Sequence, residues 1–131
     1  MALNPAFIST PRIGIASVSN ANTATDGTGT ITDVIQGVSA GTRVLEIVTQ
    51  STETPNNSIV NLFINDGTNW HLFDQVGITS VVGSSTTTTR RTSSTYTNLV
   101  LPNASYKIGC TVTVQPISGS ICVIAFGGDL T

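Results

Sequence analysis

An all-β fold is what the sequence predicts: an antiparallel β-sandwich, jelly-roll-like, with roughly seven to eight strands. Three observations carry that expectation. Short runs of apolar and β-branched residues recur roughly every 10–15 residues, broken by Gly, Pro, Asn and Ser. Several runs alternate with period two, most cleanly where Tyr106, Ile108, Cys110, Val112 and Val114 fall on one face. No stretch carries the apolar spacing of an amphipathic helix.

Taken in order, residues 1–10 read as an extended N-terminal arm, and residues 11–131 as a single sandwich domain. Pro5 and Pro11 bracket the arm and force extended or turn geometry. Phe7 and Ile8 are adjacent apolar side chains in it, able to dock on this domain or on a neighbour. From Arg12, Ile13, Ile15 and Ser17 alternate with Gly14 and Ala16. Residues 19–30, SNANTATDGTGT, form a turn-rich loop with nothing apolar larger than Ala. A strand follows over Ile31 to Val38, and Ser39-Ala40-Gly41 turns the chain. Arg43 to Ser51 is β-branched and mostly apolar, as a central strand is.

Ser58 to Val76 reads as one hairpin. Val60, Leu62 and Ile64 alternate before the turn, and Trp70, Leu72 and Val76 after it. Asp66-Gly67 marks the turn, because Gly accepts positive φ without a steric penalty. A two-residue turn there sets Leu62 opposite His71 and mixes the two faces. A three-residue loop of Asn65, Asp66 and Gly67 sets Leu62 opposite Trp70 and Val60 opposite Leu72, which keeps the apolar row together. The three-residue loop is therefore expected, with Trp70 in the core. After a short β-branched run over Gly77 to Val82, residues 83–94 contain no apolar side chain and read as an exposed edge strand or a loop. Strands are expected again over Tyr96 to Leu101, Ser105 to Val114 and Ile121 to Phe126, the last ended by Gly127-Gly128-Asp129.

The 131 residues suit one domain. Apolar residues make up 39% of the chain, but charged residues only 9%, far below the roughly 25% of an ordinary soluble domain. Thr, Ser and Asn take their place. Neutral polar groups avoid the desolvation cost of ions when another subunit covers them, so this surface fits a packed assembly. A net charge of −2 argues against nucleic acid, which needs a basic stripe. The basic pair Arg90-Arg91 is suited to a partner's carboxylates. No apolar run nears the roughly 18 residues that span a bilayer, so no membrane is expected. The N-terminus lacks the basic start and apolar run of a signal peptide. Without an export signal a reducing compartment is expected, and with it Cys110 and Cys122 as buried free thiols rather than a disulfide.

Chemistry is scarce. His71 is the single histidine and is expected to face away from the core, beside Asp74 and the hairpin turn, unsuited to a triad. Two Cys and one His fall short of a four-ligand zinc site. Asp66 in NDGT lacks the alternating acidic positions and distal Glu of a calcium loop. Glu46 and Glu53 are the only glutamates, and Glu53 lies in a loop, so no pair of facing carboxylates can be named. No catalytic residue, cofactor or metal is expected, and the chain is not read as an enzyme. Trp70 and Tyr96 are the two aromatic side chains suited to stacking on a sugar.

Four segments together, GTRVLEIVTQST, NLFINDGTNWHLFDQV, RTSSTYTNLVLPNASYKI and VIAFGGDL, resemble small virion proteins of tailed bacteriophages. The resemblance runs from Gly41 to Leu130, roughly two-thirds of the chain. It departs at Asn103, where a turn glycine is common, and at Gln75, where glutamate is common. It implies a structural protein of the phage particle of the capsid decoration, or cement, type. Such a protein is made in the host bacterial cytoplasm and sits on the outer capsid surface. Its implied partners are the major capsid protein lattice and copies of itself, as a homotrimer. The alternative is a tail or fibre module that binds a receptor glycan. Phe7, Ile8, Arg90 and Arg91 are the candidate partner-binding residues.

Overall fold

The computed structural model describes residues 8–89 and 91–130, and all its regular elements are strands. They are β1 (Ile8–Val18), β2 (Thr32–Gln36), β3 (Thr42–Ser51), β4 (Ser58–Asn65), β5 (Trp70–Ile78), β6 (Arg91–Thr95), β7 (Val100–Leu101), β8 (Lys107–Val112) and β9 (Ile121–Leu130). One sheet runs β1-β9-β3-β6, with the short β7 also paired to β3; the other runs β2-β8-β4-β5. Every ladder between these strands is antiparallel. Each sheet interleaves strands from the two ends of the chain, which is the jelly-roll arrangement.

The nine strands exceed the seven to eight expected because β6 and β7 divide what reads in sequence as a loop and one strand. Residues 83–89 form no strand, but Arg91–Thr95 pair with Glu46–Gln50 at the edge of the sheet. β3 is the central strand expected, flanked by β9 and β6. β1 starts at Ile8, so residues 8–10 belong to the sheet; residues 1–7 of the arm lie outside the described residues.

The core lies between the sheets. Val44 and Ile47 of β3, Val60 and Leu62 of β4, Ile108, Cys110 and Val112 of β8, and Ile121, Val123 and Ala125 of β9 are buried there. In β1 the small row Gly14, Ala16 and Val18 turns inward, and the larger Ile13 and Ile15 point out. The reason is space: a Cβ at Gly14 would overlap the Val34 carbonyl and the Ile35 side chain of β2. β1 and β2 thus close one side of the sandwich.

Two register expectations are corrected. In the β4–β5 hairpin Asn65 pairs with Trp70, and Asp66 N–H donates to the Asn69 carbonyl, so the loop has four residues rather than three. A bulge between Leu62 and Phe63 shifts the ladder, so Leu62 opposes Asp74 and Val60 opposes Val76. The expected partners Trp70 and Leu72 instead oppose Asn65 and Phe63. Gly67 does hold the positive φ expected of it, +100°. The turn is tied by Asp66, whose carboxylate accepts from the backbone N–H groups of Asn69 and Thr68. Those bonds, with the His71 ring, hold its pKa down to about 2.

The last strand does not stop at Gly127. β9 continues through Gly127 and Gly128 to Leu130, between β1 and β3. Asp129 there accepts hydrogen bonds from the Arg12 guanidinium at 3.0 Å and the fully buried Thr42 hydroxyl at 2.9 Å. Arg12 also donates to the Gln36 carbonyl of the other sheet at 2.8 Å, so the cluster ties the two sheets at one end. Asp129→Ala is expected to cost about 1–3 kcal/mol in urea unfolding, because two donors lose their acceptor. Asp129→Asn keeps an oxygen there and is expected to lose less.

Candidate interaction surfaces

The outer faces of the two sheets differ. Over β8 of the four-stranded sheet the chain covers itself. Trp70 leaves the core for this face and packs over Gly109, where a Cβ would stand 2.8 Å from the indole and 2.7 Å from Ile31. The loop of residues 19–31 lies against it: Asn22 N–H donates to the Val112 carbonyl, and a Cβ at Gly27 would stand 2.9 Å from the Trp70 Cβ. The Asn22 side chain holds that loop by donating to the Thr28 and Thr30 carbonyls and accepting from Ala24 N–H. The Lys107 ammonium lies 5.3 Å from the indole centroid and 3.2 Å from the Asp33 carboxylate. Trp70 is therefore half-buried on the outside rather than in the core.

Over the five-stranded sheet nothing comparable lies across β1 and β9 among the described residues. Ile13 and Ile15 are 61% and 65% exposed, beside Phe126 and Ile124 of β9. Val48 lies across from Ile124, on β3. On the far side of β3 the Thr-rich segment of residues 83–89 stands up as a wall. Between that wall and β9 lies an open groove of about 780 Å³, floored by Val48, Ile124, Phe126 and Cys122; Ile13 and Ile15 stand outside it. Glu53 and Arg91 line it with one charge of each sign.

Of the candidate partner-binding residues, Ile8 and Arg91 fall at opposite edges of this sheet. Ile8 is half-buried in β1 opposite Leu130, docked on its own domain against Gly128. Arg91 lies in β6, its guanidinium 3.8 Å from the Glu46 carboxylate. Phe7 and Arg90 lie outside the described residues. The Tyr96 phenol donates to Asp74 at 2.6 Å and its ring tilts against Phe73. Burial first, then the bond to Asp74, raises its pKa. Tyr96 and Trp70 form no shared stacking platform. His71 is exposed and meets Asp66 at 3.1 Å, not Asp74. Sequence reasoning missed the Ile13–Ile15 ridge; the signal was Gly14 and Ala16, a row too small to fill a core.

Cys110 and Cys122 are unpaired and lie in different sheets. Cys110 is fully buried, and burial pushes its thiol up to about 12. Cys122 is not buried as expected but half-exposed in the groove floor. Cys110 is expected to resist maleimide at neutral pH until the chain is unfolded in urea, read by intact-mass spectrometry. Among the described residues no three His, Cys, Asp or Glu side chains group to hold a metal ion. No helix among them is long and apolar enough to cross a membrane.

A chain of the acidic stable capsid structure of Helicobacter pylori bacteriophage KHP30 is similar in fold, with a TM-score of 0.52. The match covers 93% of this chain and 89% of that chain, at 12% sequence identity. No protein family matches the sequence. No curated protein matches it either.

Proposed function

We propose that this chain is a structural protein of a bacteriophage particle that decorates and cements the capsid. The observation that carries the reading is the jelly-roll likeness, over nearly the full length of both chains, to a chain of a phage capsid structure. The segment resemblance to small phage virion proteins supports it. So does a surface poor in charge with apolar side chains exposed on one sheet face among the described residues.

The protein binds the outer surface of the assembled major capsid protein lattice as a homo-oligomer, three copies at a three-fold point. It has no enzymatic activity. Bridging adjacent shell subunits adds burial across their boundaries and opposes the outward pressure of packaged DNA. A stable contact of this kind covers at least about 1,000 Å² in total. Neutral hydroxyl groups lose little when such a contact desolvates them.

Quantitative mass spectrometry of purified particles tests the reading. A fixed ratio of this chain to the shell protein is expected. A few copies per particle mark a tail or fibre component instead, and absence removes the chain from the particle; either result overturns the cement reading.

A further inference from the structure

We propose that the outer face of the five-stranded sheet is the self-association surface, the Ile13–Ile15 ridge of one copy seating in the groove of a second copy. This rests on the homo-oligomer reading above but needs no shell. Ridge and groove are complementary features of one face. The ridge is two isoleucine side chains, more than half exposed, on the outermost strand β1. The groove is a trough of about 780 Å³ with an apolar floor of Val48, Ile124 and Phe126 between Ser- and Thr-rich walls, with room for both.

Area and charge favour a second copy. Four strands about 4.8 Å apart and about eight residues long at about 3.3 Å each give the face about 500 Å² in projection. Two such faces together cover about 1,000 Å², the threshold for a specific interface. The ridge is uncharged, and the groove carries one carboxylate and one guanidinium, so two copies meet without repulsion. The contrast within the molecule points the same way, since loop 19–31 and Trp70 already cover β8 of the four-stranded sheet.

Light scattering on the size-fractionated full chain tests the proposal. The expected mass is an integer multiple, two or more, of the 13.6 kDa chain. The Ile13→Asp/Ile15→Asp variant is expected at 13.6 kDa with an unchanged β-sheet circular-dichroism spectrum. Both side chains are solvent-facing, so the variant folds. Ile59→Asp, on β4 of the four-stranded sheet and 40% exposed, is expected to keep the mass of the oligomer. As a second readout, Cys122 in the groove floor is expected to react with maleimide at least ten-fold faster in the double variant. A wild-type monomer at about 100 μM overturns the proposal, as does a double variant of unchanged mass. A monomeric wild type that binds shells, and loses them in the double variant, assigns the face to a shell partner and overturns it equally.

Discussion

Gly127→Ala is expected to lower stability by about 3 kcal/mol or more, beyond the usual range of an added methyl group. A Cβ at this position would overlap the Arg43 carbonyl oxygen and stand 3.0 Å from the Val44 Cα. Both are backbone atoms of β3, so no rotamer change relieves the clash. The ladder is already irregular there, with a register shift between Val44 and Glu46. Strands β3 and β9 must separate, and that breaks the centre of the five-stranded sheet. Gly77→Ala is the internal control. It lies in β5, where a Cβ meets nothing within 4 Å and φ is not positive. There the same substitution is expected to be neutral or to stabilise by about 0.4–1 kcal/mol, through the unfolded chain. Urea denaturation of the two variants beside wild type reads both effects; equal changes would show that β9 does not run between β1 and β3 as described.

Leu62→Ala is expected to cost about 2–5 kcal/mol. Leu62 is fully buried, on β4 between Cys110 of β8 and Asp74 of β5. Its side chain fills the space between the sheets, and neighbours held in two ladders cannot collapse into the cavity. Against a total stability of roughly 5–15 kcal/mol, the loss is a large share. Ile117→Ala removes a similar side chain from a position 66% exposed, and is expected to change stability by less than about 0.5 kcal/mol. Thermal unfolding of the pair checks this. A small effect at Leu62 would mean that the Val60–Leu62–Ile64 row does not face the core.

That row was legible in the sequence, because period-two alternation needs only the chain's own order. So were β3 as a central strand and the face shared by Ile108, Cys110 and Val112. The partners across the ladder were not. One bulge beside Phe63 and one extra loop residue moved every pairing in the hairpin, and neither leaves a mark in apolar spacing. Trp70 was misplaced because its size argues for a core. What decides its position is room on the outer face, made by Gly109 beneath it and Gly27 beside it, residues far off in sequence. The GGD segment reads as a strand end by composition. It continues the strand because glycine alone lets β9 approach β3 and β1 so closely, while Asp129 binds Arg12 and Thr42. The candidate surface was least legible. The arm and the arginine pair were conspicuous by residue type, whereas the ridge shows only once Gly14 is seen under β2.

Placement of this chain in a cryo-electron density map of the whole virus particle tests the central claim most directly. The account predicts jelly-roll density on the outer surface of the shell, repeated across the lattice and spanning boundaries between capsid subunits. Density for the chain confined to a tail or fibre, or found nowhere in the particle, would contradict it.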